Sequence, residues 1–209
     1  NWVADRAIDF LHSRDRSRPF FLMASFVRPH PPFDAPQCFF DLYRDRELTP
    51  PPVGDWADRE RLNQYGRIIN SDTGPIDPEL MRQAQVGYYA CISHVDNQIG
   101  RLLMALTEEN LMEDTVILFC SDHGELLGDH HTYRKIQPYQ GSIRIPMILY
   151  NAGLRGRQEN LVELRDVLPT FLELAGAETP ECADGVSMLR PNGREYLHGE
   201  HSGGDIGNH

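Results

Sequence analysis

Several features that would settle the class of this chain at once are missing from it. No apolar run approaches the ~20 residues needed to cross a bilayer, and no charged-then-apolar leader is present, so neither a membrane span nor a membrane partner is expected. The missing leader weighs little, because the chain opens Asn1-Trp2-Val3 without an initiator Met, in what reads as a helix, and is expected to start inside a longer protein. There is no excess of positive charge: 20 Lys and Arg against 31 Asp and Glu give a formal net charge of -11. That balance excludes nucleic acid as an expected partner, since affinity for a phosphate backbone depends on clustered cations. Cysteine is scarce, and Cys38, Cys91, Cys120 and Cys182 show no C-x-x-C spacing, which argues against a zinc knuckle or a dense disulfide framework. Cys91 and Cys120 lie within apolar patterns and read as buried free thiols. Internal repeats and low-complexity tracts are absent too, and the compartment stays open.

What remains is a chain of 209 residues with 40% hydrophobic content, enough for one sizeable core. Val3, Ala7, Ile8 and Leu11 recur at helical spacing, Arg18-Pro19 breaks that pattern, and Phe20 to Val27 reads as a buried strand. From Arg28 to Ile76 the chain is rich in proline and charge and is expected as a long surface excursion that helps shape a binding site. Asp77-Pro78 supplies a cap and a proline for a helix of about eight turns at 3.6 residues each. Its apolar stripe is predicted at Tyr88, Ile92, Val95, Ile99, Leu102, Leu103 and Leu106. Thr115 to Cys120 has the continuous apolar pattern of a strand buried on both faces, Ile145 to Tyr150 reads as a third strand, and Asp166 and Gly176 bracket a short helix. Strands alternating with helices predict a layered α/β sandwich.

Ligands in open α/β sheets collect outside the carboxyl ends of the strands, and the Thr115–Cys120 run ends in Ser121-Asp122-His123-Gly124-Glu125. Asp122 offers an oxygen suited to hard cations and His123 a nitrogen that widens the choice to transition metals. The bland alternative makes Asp122 a turn cap and His123 an exposed loop residue, and a zinc cluster of His123, Asp129, His130 and His131 is a further reading. Lys135 follows a turn expected at Gly128 and could reach an anionic substrate with its ammonium. His30, in Arg28-Pro29-His30-Pro31-Pro32, is held between prolines that restrict the backbone. A metal pair, an ammonium and an imidazole on one rim would suit binding a tetrahedral oxyanion and protonating a leaving oxygen.

At Cys120-Ser121-Asp122-His123-Gly124-Glu125-Leu126-Leu127-Gly128-Asp129-His130, Arg134-Lys135, Pro138-Tyr139-Gln140-Gly141-Ser142 and Arg144-Ile145-Pro146, the chain resembles the sulfatase family of the alkaline phosphatase superfamily. Pro29-His30-Pro31-Pro32, Tyr88-Tyr89-Ala90 and Asp166-Val167-Leu168-Pro169-Thr170 extend the resemblance over nearly the whole length. It implies a three-layer αβα sandwich around a mainly parallel or mixed sheet, here incomplete, with residues 1–209 forming part of one catalytic domain whose N-terminal portion is absent. The activity implied is hydrolysis of sulfate monoesters, with a small molecule or saccharide ester as substrate. Asp122 and His123 would ligate a divalent cation, Ca2+ first and Mn2+ or Mg2+ otherwise. Lys135 and His30 would contact the sulfate, His30 also protonating the leaving alcohol, and His201 resembles a segment near the substrate pocket.

Family members attack with a formylglycine made within Cys/Ser-x-Pro-x-Arg, and no cysteine or serine of this chain fits that pattern. The nucleophile and the paired acidic metal ligands are therefore expected outside the chain, and the chain alone is expected to be inactive. Gln140 stands where close relatives more often carry Glu. A phosphonate monoester or phosphodiester hydrolase of the same superfamily is the nearest alternative, favoured by Asp-His over Asp-Asn, and a degenerate non-catalytic relative is the other. Loss of sheet strands would leave an apolar edge open and favour a homo-oligomer.

Overall fold

The computed structural model describes residues 1–57, 76–135 and 137–199, which form five helices and two strands. They fall into two compact units, Asn1–Thr115 with His123–Arg144, and Val116–Asp122 with the residues from Ile145 onward.

The first unit is organised by α1 (Trp2–Ser13), α2 (Gln37–Asp41) and α3 (Pro78–Glu108). Asp77 caps α3 as its sequence predicts: its carboxylate accepts from the N–H of Glu79 at 2.9 Å and of Leu80 at 3.3 Å, and Pro78 takes the first helical position where no N–H is needed. Both α1 and α2 pack on α3. Ala4, Ala7 and Leu11 are the buried residues of α1, a spacing of three and four that puts them on one face.

The covered face of α3 overlaps the predicted apolar stripe only in part. Val86, Gly87, Ala90, Cys91, Gln98, Ala105 and Leu106 are buried, whereas Ile92 is 40% and Leu103 36% exposed. Small residues let partners approach closely, and a Cβ on Gly87 would lie 2.7 Å from the Phe33 Cβ. The helices that reach α3 therefore settle on its small-residue side, leaving part of the larger aliphatic stripe uncovered. Residues 20–27, predicted as a buried strand, form neither helix nor strand, with Phe21 73%, Met23 78% and Val27 74% exposed. Their composition suits a pleated, half-buried surface, but a ladder needs a neighbouring strand to accept it. Phe20 instead packs edge-on to Phe10 of α1 at 6.0 Å, with the Arg14 guanidinium over its ring.

In the second unit β1 (Ile117–Cys120) pairs with β2 (Met147–Tyr150), and the pairing is antiparallel, with Ile117 opposite Tyr150 and Cys120 opposite Met147. An antiparallel pair is compatible with the mixed form of the predicted sheet. A continuous apolar run reports burial and is silent on the direction of its neighbour. β1 is also open on one side, since Phe119 is 40% and its partner Ile148 60% exposed. In chain order α4 (Gln140–Ile143) falls in the first unit and α5 (Val167–Leu174) in the second; α5 ends at Gly176, whose φ of 67° allows the left-handed turn that lets Ala177 N–H reach the Leu172 carbonyl at 2.9 Å.

Beneath α5 lies Asp166, fully buried. Its carboxylate takes two bonds from the Arg194 guanidinium at 2.5 and 2.8 Å, one from Val186 N–H at 2.8 Å and one from Glu163 N–H at 3.0 Å. Burial alone would raise this carboxyl, but Arg194 and the two N–H donors outweigh it and hold it below the usual carboxylate range.

Candidate functional site

His30, His123 and Lys135 belong to the first unit and Asp122 to the second; His201 lies outside the described residues. Around His30 the peptides Arg28-Pro29 and Pro31-Pro32 are both cis. Arg28 reaches across this turn to grip Asp34 with two hydrogen bonds of 2.6 and 2.8 Å, and its remaining nitrogen donates to the His30 carbonyl at 3.1 Å. The Arg28 bonds hold the Asp34 carboxyl below its ordinary value. The exposed His30 ring sits 2.7 Å from the Pro31 carbonyl through Nδ1. A carbonyl only accepts, so Nδ1 carries a proton; a second proton on Nε2 gives an imidazolium that keeps this bond and can act as an acid.

The segment after β1 is pinned from inside. One oxygen of Glu125 accepts from Leu127 N–H at 3.2 Å and from Arg134 N–H at 2.5 Å. Leu126 N–H reaches the Arg134 carbonyl at 2.7 Å, and Gly124 N–H the Ser142 carbonyl at 2.7 Å. At Gly124 a Cβ would lie 2.0 Å from the Gly141 carbonyl oxygen, so the two strands of chain cross where only glycine fits. Leu127, His130, His131 and Arg134 all have positive φ, from 44° to 67°. Non-glycine residues resist that region, and a run of them persists only where surrounding bonds enforce it. Lys135 follows directly, its carbonyl accepting from the Ser142 hydroxyl.

His123 Nδ1 lies 2.8 Å from the Gly124 carbonyl, which again places the proton on Nδ1 and the lone pair on Nε2, the arrangement a metal-ligating imidazole adopts. Asp122 is exposed, and its charge adds to burial in raising the Cys120 thiol. By kind, a carboxylate oxygen and an imidazole nitrogen suit a divalent cation. By number they fall short of a coordination sphere, and among the described residues no group of three or more His, Cys, Asp and Glu could hold a metal. Among the described residues His123, Asp129, His130 and His131 do not come together as a zinc cluster, and His130 Nδ1 is already engaged by the Gly54 N–H at 3.0 Å. Cavities of about 300 Å³ between α2 and α3 and about 490 Å³ around Arg194 are lined by other residues.

Four residues escape a reading of the sequence. Arg28 and Asp34 flank His30 six residues apart without a periodic signal, and Glu125 sits inside the Asp122-His123-Gly124-Glu125 motif with no role that spacing reveals. Trp56 lies in the proline-rich excursion, and its ring contacts join residues more than seventy positions away.

The sulfatase family model matches residues 1–177. The chain belongs to the sulfatase family, and its fold is that of the alkaline phosphatase-like α/β sulfatases. It is 43% identical over its whole length to an arylsulfatase of Clostridium perfringens and 36% identical over 82% of its length to a choline-sulfatase of Rhizobium meliloti. The chain spans 46% and 35% of those two proteins. Among solved structures, a phosphonate monoester hydrolase of Agrobacterium radiobacter matches with a TM-score of 0.77 and 25% identity, over 90% of this chain and 40% of that one.

Proposed function

We propose that this chain is the part of a sulfuric ester hydrolase that carries two metal ligands and two sulfate contacts. The observation that carries the proposal is the 123–135 segment: His123 with its lone pair on Nε2, then a chain of left-handed residues held by Glu125 and ending at Lys135. Membership of the sulfatase family supports it, as do relatives named arylsulfatase and choline-sulfatase.

In this reading a sulfate monoester binds with its oxygens against the Lys135 ammonium, which offsets their charge in a way that strengthens as the S–O bond breaks. His30 in its imidazolium form gives the Nε2 proton to the leaving alcohol while Nδ1 keeps its bond to the Pro31 carbonyl. Arg28, through Asp34 and the His30 carbonyl, keeps that ring in place. Asp122 and His123 supply a carboxylate and an imidazole to a divalent cation, with calcium preferred and manganese or magnesium as substitutes; when bound, the cation neutralises sulfate oxygen charge. The formylglycine nucleophile of the family is assigned to sequence other than this chain, because no Cys/Ser-x-Pro-x-Arg occurs in it.

Hydrolysis of phenyl sulfate and of phenyl methylphosphonate by the whole protein, after chelation and resupply of each metal, tests this assignment. A preference for the sulfate ester that returns with calcium is expected. A preference for the phosphonate would favour the second reading, for which the Asp-His pair and the Agrobacterium radiobacter structure speak.

A further inference from the structure

Trp56, His130 and Tyr139 form a cluster of three rings for which the chemistry above has no use. The ring centroids are 4.7 Å apart for Trp56 and His130, 4.8 Å for His130 and Tyr139, and 5.6 Å for Trp56 and Tyr139. Two hydrogen bonds clamp the parts of the chain that bring them together: His130 N–H donates to the Pro52 carbonyl at 2.8 Å, and Gly54 N–H donates to His130 Nδ1 at 3.0 Å. Gly54 is bare of necessity, since a Cβ there would stand 2.4 Å from the indole Nε1. His130 itself is held at φ 52° and ψ 33°, a left-handed conformation that a residue with a Cβ resists.

All of this fixes an indole that stays 55% exposed. An aromatic surface that is rigidly supported and still open is a ready seat for a flat ligand. Its position in the chain says which one. Tyr139 lies four residues past Lys135, its carbonyl accepts from Ser142 N–H at 2.9 Å, and the Ser142 hydroxyl binds the Lys135 carbonyl, so rings and ammonium share one hydrogen-bonded loop. Because the Gly54 N–H can only donate, neutral His130 carries its proton on Nε2 and offers a donor beside the rings.

We infer that Trp56 and Tyr139 seat the ring of the leaving alcohol, an aryl group or the apolar face of a pyranose, while the ester's sulfate is held at Lys135. The inference rests on Lys135 as a sulfate contact. Trp56→Ala and Tyr139→Ala in the whole protein should each raise KM for phenyl sulfate and glucosamine 6-sulfate about tenfold and leave ethyl sulfate within about twofold, whereas Trp56→Phe and Tyr139→Phe should largely keep the unsubstituted KM. Whichever ring substrate responds more strongly identifies the alcohol. An equal loss on ethyl sulfate, or no change on either ring substrate, overturns the inference. If the unsubstituted protein turns over no sulfate ester, the sulfatase reading fails by itself, and the seat is judged by binding. In calorimetric titration of the whole protein, phenyl sulfate should bind about tenfold more weakly to Trp56→Ala while ethyl sulfate is unaffected. Equal weakening for both esters, or none for phenyl sulfate, contradicts the seat.

Discussion

In the second unit a carboxylate, Asp166, is shut away from water with every oxygen engaged by Arg194, Val186 and Glu163. In the first unit the carboxylate of Glu125 also ties distant backbone together, yet the loop it closes runs through four left-handed non-glycine residues and leaves Lys135 at its end. The first arrangement is saturated and relaxed, and it serves stability. The second accepts unfavourable backbone to hold side chains at one place, which is where local rules are expected to give way to chemistry. Substitutions should therefore separate cleanly, harming folding in one region and turnover in the other.

The largest effects are expected at the chemical end. His30→Ala and Lys135→Ala should each lower kcat for an aryl sulfate by roughly 10²- to 10⁴-fold while thermal melts stay where they were. Asp166→Ala should instead cost about 3–5 kcal/mol in urea unfolding, because Arg194 keeps only its longer 3.6 Å contact with Glu163 and the Val186 and Glu163 N–H groups lose their acceptor. Replacing both partners, Asp166→Leu with Arg194→Met, should be milder than either single change; a double variant as damaged as the single ones would mean the pair is not what matters. This pair also sets a pH dependence. The folded carboxyl of Asp166 sits below its ordinary value, so its contribution is fully present above the usual carboxylate range near pH ~4 and fades as pH falls through the depressed folded value. Acid unfolding followed by circular dichroism should show this contribution vanish in Asp166→Asn.

A smaller effect should sharpen the contrast at Glu125. Glu125→Gln keeps an oxygen that can accept both N–H groups and should stay near unsubstituted activity, whereas Glu125→Ala should lose about 10- to 100-fold in kcat through misplacement of Lys135. Equal activity of the two would mean the clamp does not position the ammonium. At the bottom of the scale stands the ion pair of Arg101 with Asp5 at 2.7 Å, with both side chains more than 40% exposed. Arg101→Ala should change stability by about 0–1 kcal/mol and leave turnover untouched.

How far the sequence reaches follows the same physics. The long helix and its Asp77-Pro78 start are written locally, in a cap, a proline and a 3.6-residue period, and the structure has them. The covered face of that helix depends on which neighbours arrive, and it joins small residues at Gly87, Ala90 and Ala105 to Leu106 of the predicted stripe while Ile92 and Leu103 stay exposed. Likewise Phe20 to Val27 has the composition of a strand but no ladder among the described residues, and the apolar runs at β1 and β2 do not reveal that they pair antiparallel. At the site, Asp122, His123, Lys135 and His30 could be picked out by residue type and motif. The groups that hold them, Glu125 and the Arg28–Asp34 pair, act through hydrogen bonds that no periodicity encodes. Asp166 could be read as the start of a short helix, while its bond to Arg194, twenty-eight residues later, could not.

The most direct test sets two variants of the whole protein side by side, Lys135→Ala and Asp166→Ala, each measured for sulfate release per folded molecule and for unfolding midpoint. Loss of sulfate release with an unchanged midpoint in the first, and a lowered midpoint with residual turnover per folded molecule in the second, is the predicted result. Sulfate release at the unsubstituted rate from Lys135→Ala would contradict the assignment of the 123–135 segment to catalysis.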